Sequence, residues 1–306
     1  MNKPNIIKLK EQGFCYGVKR AIKIVYDAVL DENIKKPIYL LGNLVHNSHV
    51  ADFFKSLGVI ILEGDTRYEM LESLPNESTI VYTAHGVSQL VKDLAKKKNM
   101  FVIDTTCPYV DKTFKLIEQE AKNFDIYFIG KPNHPESIAA KEISNKVYIY
   151  DSSNIYNDHI DPNNLKIAHQ TTMSYYDIEN TFNEIKKVYP NAKVIDMICK
   201  VTEIRQNQLK SIENLNLIGT TLIIVVGDKK SNNSTKLYEL ATRVQNVDSV
   251  FVEEVSELDL DNVRQYENVI LTSGTSTPEA LVDEIIDAIK TDSTKVFSNI
   301  NNTLLI

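Results

Sequence analysis

Three times along this chain a short apolar run stops at a glycine and gives way to a mostly polar phrase. The runs are Ile38-Tyr39-Leu40-Leu41-Gly42, Ile126-Tyr127-Phe128-Ile129-Gly130 and Ile223-Ile224-Val225-Val226-Gly227. Each predicts a short apolar strand that ends at the glycine. The phrases that follow are Asn43-Leu44-Val45-His46-Asn47, Lys131-Pro132-Asn133-His134-Pro135-Glu136 and Asp228-Lys229-Lys230-Ser231-Asn232-Asn233-Ser234. A further strand in each copy closes on a second polar cluster: Thr83-Ala84-His85-Gly86-Val87-Ser88, Gln170-Thr171-Thr172-Met173-Ser174 and Ser273-Gly274-Thr275-Ser276-Thr277-Pro278-Glu279.

Ahead of each glycine run the apolar period turns helical. It runs over Val18, Ala21, Ile22, Val25 and Ala28, then over Val110, Phe114, Ile117 and Ala121 behind Pro108 at the helix start. The third copy, with Val201, Ile204 and Ile212, matches less well. Before each helix stands a cysteine. Cys15, Cys107 and Cys199 are the chain's three cysteines, spaced 92 residues apart. Repetition at a fixed period indicates three copies of one unit, here placed at 1–98, 99–192 and 193–290, with 291–306 as a C-terminal segment. The fold expected is α/β: three pseudo-threefold-related α/β units, a trefoil whose centre gathers one thiolate from each copy. That geometry suits an iron–sulfur cube held at three corners, with its fourth iron open to a substrate. The polar phrases would line the carboxyl ends of the strands, the edge where parallel sheets bind ligands.

Composition narrows the picture. A chain of 306 residues, 43% hydrophobic, can bury several small cores. No run of about 20 apolar residues offers a membrane span. Met1-Asn2-Lys3-Pro4 leads directly into the first strand, so no targeting peptide is expected and the chain is placed in the cytoplasm. Three cysteines without an export signal argue against a disulfide framework. The net charge of −7 leaves no basic footprint for nucleic acid, so an anionic ligand must be held by local donors. The Asn- and Asp-rich stretch from Ser152 to Asn164 reads as an exposed loop.

Separated cysteines admit several chemistries. Structural zinc usually shows closely spaced ligand pairs, absent here, although His46, His85 or His134 could complete a Cys3His set. A cysteine nucleophile would leave two thiols unexplained. The short three-cysteine loop of radical enzymes that cleave S-adenosylmethionine is missing. Buried inert thiols are the ordinary state of a lone cysteine, but not of three in equivalent contexts.

The phrases Gly13-Phe14-Cys15-Tyr16-Gly17-Val18, Val45-His46-Asn47, Ala84-His85-Gly86-Val87-Ser88, Thr106-Cys107-Pro108 and His134-Pro135-Glu136 resemble the 4-hydroxy-3-methylbut-2-enyl diphosphate reductase family. Gln170-Thr171-Thr172, Cys199, Ser231-Asn232-Asn233-Ser234 and Ser276 continue the resemblance in order, from about Gly13 to the Pro278 region. It departs at Asn232, where the bacterial pattern often has serine; asparagine still donates a hydrogen bond. The resemblance implies one [4Fe–4S] cluster per chain, on Cys15, Cys107 and Cys199. It implies a diphosphate held by His46, His85, His134, Thr171, Ser231, Asn232, Asn233 and Ser276. It implies Glu136 as proton donor, with His134 and Thr171 beside it, and reduced ferredoxin or flavodoxin as electron source. The reaction implied is reductive removal of an allylic hydroxyl, giving isopentenyl and dimethylallyl diphosphates, the last step of the methylerythritol phosphate route. His49, His159 and His169 receive no role. Two rivals share features: quinolinate synthase, another three-unit, three-cysteine enzyme whose dicarboxylate substrates call for arginines, and an iron–sulfur sensor or carrier.

Overall fold

The computed structural model describes residues 3–195 and 199–291. Asp196-Met197-Ile198, which directly precede Cys199, and residues 292–306 of the C-terminal segment lie outside the described residues. Twelve strands occur among the described residues. They are β1 (Asn5–Lys8), β2 (Ile38–Leu40), β3 (Ile60–Ile61), β4 (Thr79–Tyr82), β5 (Phe101–Asp104), β6 (Asp125–Ile129), β7 (Val147–Ile149), β8 (Leu165–His169), β9 (Lys193–Val194), β10 (Thr221–Val226), β11 (Asp248–Val252) and β12 (Asn268–Ser273). They form three parallel four-stranded sheets, ordered β3-β2-β4-β5, β7-β6-β8-β9 and β11-β10-β12-β1.

One strand order is thus used three times, with a shift along the chain. The strand leading to each cysteine forms the outer strand of its sheet: β5 beside β4, β9 beside β8, and β1 beside β12. The sheets are therefore offset from the linear thirds 1–98, 99–192 and 193–290, each third lending its first strand to another third's sheet. By contact the chain forms two compact units. One takes its described residues from 3–19, 46–53 and 200–291 and holds the sheet of β1 and β10–β12; the other takes 20–45, 54–195 and 199 and holds the other two sheets.

Central strands are largely apolar because both faces are covered. β4, β6, β10 and β12 are buried at every residue. In the first unit successive residues of β10 point to opposite faces. Ile224 and Val226 pack with Leu281, Val282 and Ile285 of the helix Glu279–Thr291, while Ile223 and Val225 pack with Leu209, Leu237 and Leu240. In the second unit the helix Pro108–Glu120 follows β5 yet packs Ile117 and neighbouring Ala121 on Ile126 and Phe128 of β6. The Ser152–Asn164 stretch is a loop of turns, as its composition indicated, pinned by hydrogen bonds from Tyr127 and Tyr189 to its backbone.

The third cysteine helix departs from the expected stripe. It spans Lys200–Lys210, but Ile204 is 46% exposed, and the buried face carries Thr202, Arg205, Gln206 and Leu209. Arg205 turns to that face because the Ser273 and Gly13 carbonyls accept its guanidinium, and Thr202 because its hydroxyl accepts from Asn233.

Candidate active site

The three cysteines occupy equivalent backbone positions. Each precedes a helix: Tyr16–Leu30, Pro108–Glu120 or Lys200–Lys210. Each donates its N–H to the carbonyl just beyond the adjacent strand: Cys15 to Thr275 at 3.0 Å, Cys107 to Ala84 at 3.0 Å, and Cys199 to Thr171 at 3.4 Å. The glycines obey the same symmetry. Extending the strand register places Gly42 beside Thr83, Gly130 beside Gln170 and Gly227 beside Gly274. All three cysteines are half-buried and none is in a disulfide. The helix N-termini favour negative charge, and thiolates are the ligand type that iron–sulfur clusters use. The donor set therefore fits such a cluster.

In the second unit the residues expected to handle protons meet. Pro135 opens the helix Pro135–Lys141, with His134 as its cap. His134 Nδ1 accepts the Glu136 N–H at 3.1 Å, so the neutral ring carries its proton on Nε2. Glu136 is 1% exposed, and its two carboxyl oxygens accept from the Thr171 N–H at 2.8 Å and the Thr171 hydroxyl at 3.0 Å. Burial pushes this carboxyl up to about 7, against the Thr171 hydrogen bonds, which pull it down. The His85 ring meets that of His134 edge-on, with centroids 5.4 Å apart.

In the first unit the equivalent positions carry neutral donors. Ser231 caps the helix Asn232–Ala241, and Ser231, Asn232 and Asn233 are all buried. Asn233 Oδ1 accepts the Thr275 N–H at 2.9 Å, just as Glu136 accepts that of Thr171. With its carbonyl so anchored, the Asn233 side chain presents N–H donors, one of them 3.4 Å from Thr202 Oγ1. The Ser276 hydroxyl donates to the His46 carbonyl at 3.0 Å and lies 3.4 Å from Ser231 Oγ. Close approach builds both helix starts. A Cβ on Gly274 would fall 2.0 Å from Ser234 Oγ, and one on Gly130 would fall 2.6 Å from Ser137 Oγ. Within the first unit Ser276 thus links the His46 carbonyl to Ser231, and Asn232 and Asn233 stand on the helix that Ser231 caps. Within the second, His85, His134, Glu136 and Thr171 form another.

Residues 6–290 match the model of the LytB protein family. The chain belongs to this family. It is similar to the LytB relatives named 4-hydroxy-3-methylbut-2-enyl diphosphate reductase from Lysinibacillus sphaericus (strain C3-41) and Bacillus mycoides (strain KBAB4). Each is 38% identical over 284 residues, covering 92% of this chain and 86% or 88% of the relative. Among solved structures it resembles the E-1-hydroxy-2-methyl-but-2-enyl-4-diphosphate reductase from Plasmodium falciparum, with a TM-score of 0.82 and 30% identity over 94% of this chain and 88% of that one. A second solved reductase, titled the terminal enzyme of the non-mevalonate pathway, aligns with a TM-score of 0.64 and 25% identity over 94% and 99% of the two chains. The α/β architecture with three sheets is the LytB fold, and the quinolinate synthase and carrier readings give way to it.

Arginines are what the sequence reading passed over in this LytB chain. Arg205 is 2% exposed and donates to the Ser273 carbonyl at 2.6 Å and to the Gly13 carbonyl, two residues before Cys15, at 2.5 Å. Arg20, one turn into the helix after Cys15, donates to the Thr106 carbonyl, next to Cys107, at 3.1 Å. An arginine interrupting an apolar helical period just after a cysteine was the available signal.

Proposed function

We propose that this LytB-family chain reduces (E)-4-hydroxy-3-methylbut-2-enyl diphosphate to isopentenyl and dimethylallyl diphosphates. The observation that carries the reading is the Glu136–Thr171 pair: a buried carboxyl held near neutrality, hydrogen-bonded to a hydroxyl beside a cysteine anchor. Cys15, Cys107 and Cys199 would hold a [4Fe–4S] cluster, which when bound supplies electrons and an open Lewis-acidic iron. Reduced ferredoxin or flavodoxin serves as the electron source, and the reducing cytoplasm suits three unbridged thiols.

The chain's own residues bind and protonate. The allylic C–O bond breaks with two electrons and one proton, so that oxygen leaves as water, and a second proton completes the hydrocarbon. A carboxyl titrating at about 7 is protonated in about half the molecules at neutral pH. Glu136 then donates to Thr171 Oγ1, and the Thr171 hydroxyl passes its own proton to the departing oxygen. His46, His85, His134, Thr171, Ser231, Asn232, Asn233 and Ser276 hold the diphosphate and the substrate oxygen. Neutral donors at a helix N-terminus suit this anion in a chain of net charge −7. Anaerobic single-turnover kinetics of Glu136→Gln test the reading: product formation at the wild-type rate overturns it.

A further inference from the structure

Beside His85 stands a cation that the proposed chemistry does not use. Arg67 opens the short helix Arg67–Glu72, and its guanidinium reaches the loop that carries His85. One arm donates to the Gly86 carbonyl and the other to Thr83 Oγ1 at 2.5 Å. The residue is half-buried, its charged end is desolvated, and burial pulls it down to about 10. Its partners are a carbonyl and a hydroxyl rather than a carboxylate, which points to a role other than a salt bridge.

Thr83 is fully buried, and its hydroxyl lies 3.5 Å from His85 Nδ1. Arginine has donors only, so Thr83 Oγ1 accepts from Arg67 and must direct its own hydrogen elsewhere. The partner in reach is His85 Nδ1. A neutral imidazole that accepts at Nδ1 carries its proton on Nε2. His134 reaches the same tautomer by another route, accepting a backbone N–H at Nδ1. The loop itself is held in place: Gly86 has φ +73°, and a Cβ there would fall 2.9 Å from Phe114.

We infer that Arg67 and Thr83 are positioning residues that hold His85 in the Nε2–H tautomer, making it a hydrogen-bond donor toward an anionic ligand. The consequence for substrate rests on the diphosphate reading above; the tautomer itself does not. Replacing Thr83 with valine keeps the shape and removes the relay, while serine keeps the hydroxyl. Arg67→Met removes the donor that orients it.

The test is carbon-detected NMR of the full chain with isotope-labelled histidine, the His85 signals being assigned by their loss in His85→Gln. Wild type and Thr83→Ser are expected to show Nε2–H at His85, and Thr83→Val and Arg67→Met a mixture with Nδ1–H. The His134 tautomer should stay unchanged in all of them. If Arg67→Met does not fold, Thr83→Val carries the test. A wild-type tautomer in Thr83→Val overturns the inference. In parallel, KM for the allylic diphosphate should rise about tenfold in Thr83→Val with kcat little changed, the loss of one oriented donor. A shifted tautomer with unchanged KM leaves the positioning role standing and removes His85 from the diphosphate site.

Discussion

Glu136→Gln keeps size and polarity but removes the acidic proton. Pre-reduced and oxygen-free, this variant should bind substrate and turn it over at least about a hundredfold more slowly, the lower range for general acid catalysis. Wild-type single turnover should itself decline as pH rises through about 7, where the buried carboxyl loses its proton. Stability gives a second, substrate-free signature. The folded-state value lies above the ordinary 4.5, so between these values the unfolded chain binds fewer protons. Folding stability therefore falls as pH rises through that window and levels off above it, by about 3 kcal/mol in all. Glu136→Gln should lack this decline in urea unfolding measured at pH 5 and pH 8; an equal decline in both proteins contradicts the assigned environment. On the anion side, Asn233→Ala removes a donor whose orientation Thr275 fixes, and His46→Ala removes the imidazole of a residue whose backbone carbonyl Ser276 holds. Each should weaken substrate binding by roughly 1.5–3 kcal/mol, read as KM under anaerobic conditions.

Periodicity located the helices and buried strands but did not in every helix give the face that turns inward. For Val18, Ala21, Ile22, Val25 and Ala28 hydropathy and burial agree, all five being buried. After Cys199 they part: Ile204 faces solvent while Arg205 is buried. An apolar scan cannot see that face, because loop carbonyls far away in sequence select it. Arg205→Met should cost about 3 kcal/mol in urea unfolding and lower the iron content by loosening the Cys15 loop, since two buried carbonyls lose a charged donor. The helix starts are legible in the same partial way. Gly130 was visible as punctuation, but its reason is contact: a Cβ would also meet Phe128 at 2.9 Å. Gly130→Ala should destabilise by about 1–3 kcal/mol, with Ser137→Ala restoring part of the loss, because overpacking displaces the helix bearing Glu136.

Across the whole molecule, equal cysteine spacing foretold a threefold α/β architecture, and the three parallel four-stranded sheets and their likeness to solved reductases bear that out. What spacing could not disclose is the pairing of β1 with β12 and the matching shifts of β5 and β9, since strand partners are chosen by tertiary contact. That shift gives each cysteine N–H the same kind of acceptor, the carbonyl two residues past the end of the neighbouring strand. The common anchor is the structural ground for expecting three equivalent thiolate ligands. The most direct measurement is an oxygen-free single turnover of the reduced full chain on (E)-4-hydroxy-3-methylbut-2-enyl diphosphate, with iron content determined on the same samples. Wild type should carry about four irons per chain and yield isopentenyl and dimethylallyl diphosphates, while Cys107→Ser should lose most of both iron and product. Full iron and full turnover in Cys107→Ser would contradict the account.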